Sequence, residues 1–203
     1  MLHTFSKKNK PSNLRFIKVK NPVNEEYKIP LWATIIGSGV FTGFSPVMSG
    51  TAGSFLAFLI YLIPGISGWY YMLGLIIFFF PVGIYVSDKM RLRYGEDPPE
   101  VTIDEIVGQW FTYLVGSAVF EIFFKYKSFD PDLQFATKIA FAFIGFLVFR
   151  VFDIIKIEPA KYFDDKDSGL GIMMDDIISG LYAGILSAVL THFVWYKFLT
   201  RIF

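Results

Sequence analysis

Residues 149–180 read FRVFDIIKIEPAKYFDDKDSGLGIMMDDIISG. An apolar segment ends in Arg150 and Asp153, a polar loop with two glycines follows, and Asp175 and Asp176 open the next apolar segment. Ionisable groups at the edge of a hydrocarbon layer are costly, and they mark a functional site by default. Two acid-bearing segment ends joined by such a loop therefore predict a place where a cation and a phosphate group meet.

The composition indicates an integral membrane protein. The chain has 203 residues, of which 54% are hydrophobic and 19% aromatic, and its mean hydropathy is +0.49. Apolar runs long enough to span a bilayer predict an all-α, polytopic helical bundle of about four to five transmembrane helices. Without cysteines, the chain can form neither disulfides nor thiolate zinc sites. The formal charge of +1 gives no reason to expect a nucleic-acid partner.

The distribution of basic residues predicts the orientation. Residues 1–30 carry seven lysines and arginines, so we expect a basic cytoplasmic tail, followed by one membrane-embedded domain over residues 31–203. Residues 31–44 are apolar but rich in glycine, and they are expected to be interfacial or re-entrant. Five spans would then bring all the polar clusters to the cytoplasmic face. These clusters are Ser45–Ser54, Asp88, Asp104–Glu105, Arg150–Asp153 and Asp175–Asp176.

The carboxylates in these clusters suit a hard cation such as Mg²⁺, which prefers oxygen ligands and keeps several waters. The candidate metal ligands are Asp104, Glu105, Asp153, Asp175 and Asp176. Adjacent helical residues point about 100° apart, so one acid of each pair should face the site. The alternative is that the acids cap helices, because aspartate is favoured at helix starts.

Two basic residues could bind a phosphate group. Arg150, Asp153 and Lys156 follow one another at spacings of three, which keeps them on one strip of a helix. In the functional interpretation Arg150 clamps phosphate oxygens and Lys156 adds a point charge. In the structural interpretation they form an intrahelical salt bridge beside a snorkelling arginine.

Small residues supply a second candidate phosphate contact. The sequence GTAGS (50–54) opens an apolar helix, where backbone N–H groups favour an anion and Thr51 and Ser54 add hydroxyls. Small residues also serve helix packing in membranes, so both interpretations stay open. Gly169 and Gly171 are expected to form a tight turn before the last span.

Three sequence blocks resemble the phosphatidylglycerophosphatase A family. They are GSGVFTGFSPVMSGTAGS (37–54), DPPEVTIDEIVGQW (97–110) and FRVFDIIKIEPAKYFDDKDSGLGIMMDDIISGLYAG (149–184). The resemblance implies a Mg²⁺-dependent hydrolase that removes the terminal phosphate of phosphatidylglycerophosphate to give phosphatidylglycerol. It also implies a multi-pass protein of the bacterial inner membrane, with its active site facing the cytoplasm and a phospholipid as substrate.

In the resulting hypothesis, Arg150 and Lys156 neutralise the charge that develops in the transition state. Glu105 and Asp175 are the acids whose loss is expected to abolish phosphate release. The alternative from a different class is a membrane cation carrier that uses the clustered carboxylates as an ion site. Carriers usually bind near the bilayer midplane, whereas these acids lie at segment ends. A homo-oligomer is possible.

Overall fold

The computed structural model describes residues 22–124 and 131–202, with side chains for residues 22–123 and 135–194. All regular elements in these ranges are helices, so the prediction of an all-α protein is confirmed. The helices are α1 (Leu31–Gly37), α2 (Ser49–Leu62), α3 (Trp69–Tyr94), α4 (Ile103–Val119), α5 (Pro131–Ile155), α6 (Ala160–Asp164) and α7 (Gly169–Ile202). A 3-10 turn over Thr42–Phe44 precedes α2, and a π-helical turn over Phe120–Phe124 extends α4.

Three stretches of the described chain are long and apolar enough to cross a membrane: Trp69–Tyr94, Ile103–Phe123 and Gly169–Val194. Helix α2 is apolar but has only 14 residues, which is about 21 Å of helix and less than a bilayer core. Helix α1 has seven residues and ends in a turn, so residues 31–44 do not cross. A membrane helical bundle is thus confirmed, and the number of four to five spans stays a prediction.

Helices α4 and α7 approach each other closely because glycines line their contact. A Cβ atom on Gly180 would lie 2.6 Å from the carbonyl oxygen of Gly108, and one on Gly184 would lie 2.8 Å from that of Thr112. A Cβ on Gly108 would lie 2.8 Å from the carbonyl oxygen of Asp176. Small residues that let backbones touch are the usual means of helix association in membranes. This contact brings Asp176 directly beside the first turns of α4.

The other end of the bundle is held by aromatic packing. Tyr61 of α2 stacks on Tyr113 of α4 with 4.2 Å between ring centroids. The hydroxyl of Tyr113 donates to the carbonyl oxygen of Ala142 in α5 at 3.0 Å. A buried tyrosine needs a partner for its hydroxyl, and α5 supplies it. These contacts hold α2, α4 and α5 together at a distance from the polar clusters.

The start of α7 differs from the sequence prediction. Gly169 and Gly171 do not form a tight turn before the helix; both lie in its first turn. They are needed for close approach instead, since a Cβ on Gly169 would meet the carbonyl oxygen of Ile84 at 2.2 Å. The N–H of Gly169 donates to Asp88 Oδ1 at 2.6 Å, so Asp88 provides an acceptor for one of the free N–H groups at the start of α7.

The described part of the N-terminal region is attached to α3. The N–H of Asn24 donates to the carbonyl oxygen of Arg93 at 2.7 Å, and Arg93 Nη1 donates to the carbonyl oxygen of Tyr27 at 2.7 Å. Most of the predicted basic tail, residues 1–21, lies outside the described residues. The domain boundary at residue 30 stays a prediction.

Candidate active site

Four helices bring their polar ends to one place. A Cβ atom on Gly50, in the first turn of α2, would lie 2.3 Å from Glu105 Oε1 and 3.0 Å from Arg150 Nη2. The backbone of α2 therefore contacts a carboxylate at the start of α4 and a guanidinium near the end of α5. Asp176 of α7 lies against the same turn of α4. Residues as far apart in the sequence as Gly50 and Asp176, 126 positions, thus form one site.

The centre of the site is a buried group of three carboxylates. Asp104, Glu105 and Asp176 each offer one oxygen, and these atoms lie within 4.8 Å of one another. The three residues are only 4%, 3% and 2% exposed. Burying like charges together is costly unless a cation compensates them, and an all-oxygen donor set is the one that Mg²⁺ takes. The residues present therefore fit a hard divalent ion.

The two acid pairs behave differently. On α7 the pair divides as expected: Asp176 joins the carboxylate group, whereas Asp175 accepts a hydrogen bond from Lys156. On α4 both Asp104 and Glu105 reach the group, so the expectation of one acid per pair is wrong there. The longer glutamate side chain can reach back across the first turn, where the helix dipole also favours negative charge.

The capping alternative fails for α7. Asp175 and Asp176 lie six and seven residues after the helix start at Gly169, well beyond the first turn. Neither carboxylate is therefore placed to accept a hydrogen bond from the free N–H groups of the first turn.

Arg150 connects α5 to α2. Its Nη1 atom lies 2.7 Å from Asp153 Oδ2 and donates to Ser54 Oγ at 3.3 Å. Ser54 in turn donates to the carbonyl oxygen of Gly50 at 3.0 Å. The Nε atom of Arg150 is buried and has no hydrogen-bond partner among the described residues. The guanidinium is thus oriented by protein contacts and retains a donor for a ligand.

Lys156 is held between two carboxylates. Its Nζ atom donates to Asp164 Oδ1 at 2.6 Å and to Asp175 Oδ2 at 2.5 Å. Burial alone would lower the pKa of Lys156, but the carboxylates of Asp175 and Asp97, followed by those of Asp153 and Asp164, raise its pKa well above the usual range. The ammonium is therefore charged, and two of its three donors are occupied by protein groups.

The structure places the remaining predicted residues as follows. Asp153 lies on Arg150 and Asp175 on Lys156, both outside the three-carboxylate group, so their role as direct metal ligands stays a prediction. Ser54 orients Arg150, and Thr51 lies half-buried in the first turn of α2. Their contact with phosphate likewise stays a prediction.

Sequence reasoning missed two groups near Lys156. The sequence pattern gives Asp164 no role, yet Asp164 forms a buried ion pair with Lys156. Asp97, in the loop before α4, also acts on the charge of Lys156. Neither contact has a local sequence signal. Both depend on how the segment between α5 and α7 and the loop before α4 are placed around Lys156.

These observations define an integral membrane protein with a buried acidic site at one end of its helices, beside an arginine and a helix N-terminus. The chain belongs to the family described as PgpA: Phosphatidylglycerophosphatase A, which matches residues 35–191. It is accordingly a phosphatase.

Three curated relatives match most of the chain. A Bacteroides thetaiotaomicron protein named "Putative phosphatidylinositol-3-phosphatase" is 34% identical over 76% of this chain and 91% of its own length. Phosphatidylglycerophosphatase A of Haemophilus influenzae is 29% identical, covering 85% of this chain and 91% of that protein. Phosphatidylglycerophosphatase A of Escherichia coli is 26% identical, covering 79% and 81%. No solved structure gives a significant match.

Proposed function

We propose that this protein hydrolyses the terminal phosphate monoester of phosphatidylglycerophosphate and releases phosphatidylglycerol and inorganic phosphate. The family membership and the names of two relatives support this substrate. The observation that carries the chemistry is the buried group of Asp104, Glu105 and Asp176 beside Arg150.

Asp104, Glu105 and Asp176 would hold Mg²⁺, with Asp153 and Asp175 as further candidate ligands. A bound Mg²⁺ would polarise the phosphate and lower the pKa of water at the site. The charge balance supports this assignment. Six acidic side chains, Asp104, Glu105, Asp153, Asp164, Asp175 and Asp176, surround the two cations Arg150 and Lys156.

The side chains and backbone around the group would bind the substrate phosphate. Arg150 would donate from Nε, while Ser54 and Asp153 keep its guanidinium in place. The N–H groups of Gly50 and Thr51, at the start of α2, favour an anion in the same place. Lys156 would act mainly by positioning Asp175 and by offsetting negative charge.

Asp175 is the best-placed proton acceptor. Its Oδ2 atom is held by Lys156, and its buried Oδ1 atom has no hydrogen-bond partner among the described residues. In the hydrolysis, a water oxygen forms a bond to phosphorus while the ester P–O bond breaks. The water proton would pass to Asp175 Oδ1, and the departing glycerol oxygen would take a proton from solvent.

The proposed location is the inner membrane of a bacterium, with the site facing the cytoplasm. Basic residues accumulate at the site end of the helices, as the positive-inside rule requires. They include Lys89, Arg91, Arg93, Lys161 and Lys166. Homo-oligomerisation stays a prediction.

The cation-carrier alternative is not supported by any of the comparisons, and two of the three grouped carboxylates, Asp104 and Glu105, lie in the first turn of α4 rather than at the middle of a span. A different substrate has more support, because one relative is named for a phosphatidylinositol phosphate. Both lipids present a phosphate monoester at the membrane boundary, so the same site chemistry would serve.

The test is phosphate release by purified protein in mixed micelles that contain either phosphatidylglycerophosphate or phosphatidylinositol 3-phosphate. We expect faster turnover of phosphatidylglycerophosphate, loss of activity with EDTA and recovery with Mg²⁺. The Asp176→Asn variant should be inactive, whereas Asp167→Asn, in the exposed loop, should match the wild type. Faster turnover of the inositol lipid would overturn the proposed substrate. If neither lipid released phosphate, the proposed function itself would be overturned.

A further inference from the structure

The segment between α1 and α2 exposes apolar side chains outside the helices that are long enough to span a membrane. We call residues 38–48 the 38–48 loop. Val40 and Val47 are each 65% exposed, and Phe41, Phe44 and Met48 are also exposed. Scattered apolar side chains are normal on a surface, but a contiguous group of them marks an interaction site.

Three of these side chains occupy backbone positions that disfavour them. Val40, Phe41 and Met48 have φ angles of 55°, 68° and 51°, in the left-handed region. A β-branched or bulky residue is rare there, whereas asparagine and glycine accept it readily. Strain of this kind persists only where the surroundings hold it, and it is often connected with function.

The 38–48 loop is fixed to the active-site end of α4. Ser38 Oγ accepts a hydrogen bond from the N–H of Phe41 at 3.0 Å, and the Ser38 carbonyl accepts one from Gly43 at 3.0 Å. The hydroxyls of Thr42 and Thr102 lie 2.9 Å apart. Thr102 directly precedes α4, so the exposed side chains are presented by a loop that is anchored beside the carboxylates.

The surface next to the loop has the character of a membrane–water boundary. Trp32 of α1 stacks on Tyr85 of α3, with centroids 6.2 Å apart and planes within 2°. Tyr85 of α3 is half-exposed, and Lys89 Nζ lies 5.5 Å from its ring centroid. The ring centroids of Phe44 and Tyr94 lie 6.1 Å apart. Aromatic side chains with nearby lysines are typical of the membrane–water boundary, so the apolar loop continues the lipid-facing surface of α3.

We propose that the 38–48 loop is an interfacial anchor, whose apolar side chains insert at the boundary between headgroups and acyl chains of the anionic leaflet. The loop leads directly into Ser49 and Gly50, the first turn of α2. Insertion would fix that turn, and with it the phosphate-binding donors, at the depth where a phospholipid carries its phosphate. Only the effect on activity rests on the proposed function; the insertion itself does not.

The first test measures depth, and it uses the absence of cysteine from the chain. Phe41→Cys is labelled with an environment-sensitive fluorophore in vesicles of phosphatidylethanolamine and phosphatidylglycerol, with exposed Glu26→Cys as the matched control. We expect quenching of the Phe41 label by lipid-borne nitroxides at roughly 5–10 Å depth, as for interfacial segments. The control label should be quenched by aqueous iodide.

Quenching of the Phe41 label by iodide alone would overturn the anchor. Protection from both quenchers would also overturn it and would indicate a contact with a second copy of the chain. Neither result depends on which lipid is hydrolysed.

The second test separates membrane substrate from dissolved substrate. The double variant Val40→Asn, Phe41→Asn removes apolar surface while relieving the left-handed backbone, so its thermal stability should be unchanged or raised. We expect at least about a tenfold loss on long-chain substrate in vesicles, because two apolar side chains no longer insert. On a dihexanoyl substrate dissolved in water the rate should stay within about twofold of wild type. The control Val23→Asn should match wild type on both, and an equal loss on both substrates, or no loss on either, would overturn the proposal.

Discussion

The substitution Gly50→Ala tests the packing of the site with a single methyl group. The added Cβ would lie 2.3 Å from Glu105 Oε1, whereas ordinary contact begins at 3.4 Å. The Glu105 carboxylate or the first turn of α2 must therefore move by about 1 Å, and a displacement of that size in an active site can cost about 100-fold in rate. This corresponds to roughly 2.7 kcal/mol of transition-state stabilisation.

Folding should survive this change, because alanine is favoured over glycine within a helix by up to about 1 kcal/mol. The assay is phosphate release under saturating substrate, combined with thermal unfolding of the purified variant in detergent. Gly74→Ala is the matched control, since a Cβ there has no atom within 4 Å. Full activity of Gly50→Ala, or an equal loss in Gly74→Ala, would refute the reasoning that Gly50 holds the Glu105 carboxylate and Arg150 in place.

The other predictions concern the ion pairs and the helix contact. Lys156→Met should lower the free energy of unfolding by about 3–5 kcal/mol, because it leaves buried Asp164 and Asp175 without their cation. The control Lys161→Met, at an exposed position, should change the free energy of unfolding little. Ser54→Ala removes one of the contacts that orient Arg150, so KM for the lipid should rise while the unfolding temperature stays nearly constant. A lower kcat with an unchanged KM would contradict this role of Ser54. Gly180→Leu should prevent the close contact with Gly108 and destabilise the bundle, and a fully stable, active Gly180→Leu would show that this contact is dispensable.

The class of fold could be predicted from the sequence because bilayer-spanning apolar runs have few alternatives. The convergence of the polar clusters was predicted from the parity of the expected crossings, which would return Asp104, Arg150 and Asp176 to one face whatever the packing of the helices. The start of α7 could not be predicted in this way. Gly169 and Gly171 resemble turn residues locally. Only the close approach of the Ile84 carbonyl to Gly169 and of the Lys166 carbonyl to Gly171 explains why the helix needs glycine at both positions.

The partners of Lys156 could not be predicted for a similar reason. A lysine after an apolar segment fits equally well with phosphate binding and with an ion pair. The choice depends on where α6 places its last residue, Asp164, and on the turn of α7 that carries Asp175, and neither position has a local sequence signal.

Direct cation binding tests the central claim, that Asp104, Glu105 and Asp176 hold a divalent ion. Purified protein without substrate is titrated with Mn²⁺, as a paramagnetic substitute for Mg²⁺, and bound ion is measured by electron paramagnetic resonance. We predict saturable binding that competes with Mg²⁺ and that weakens by at least about tenfold in Asp176→Asn, since even outer-shell changes typically cost about 10- to 100-fold. Equal Mn²⁺ affinity in wild type, Asp176→Asn and Glu105→Gln would contradict the account.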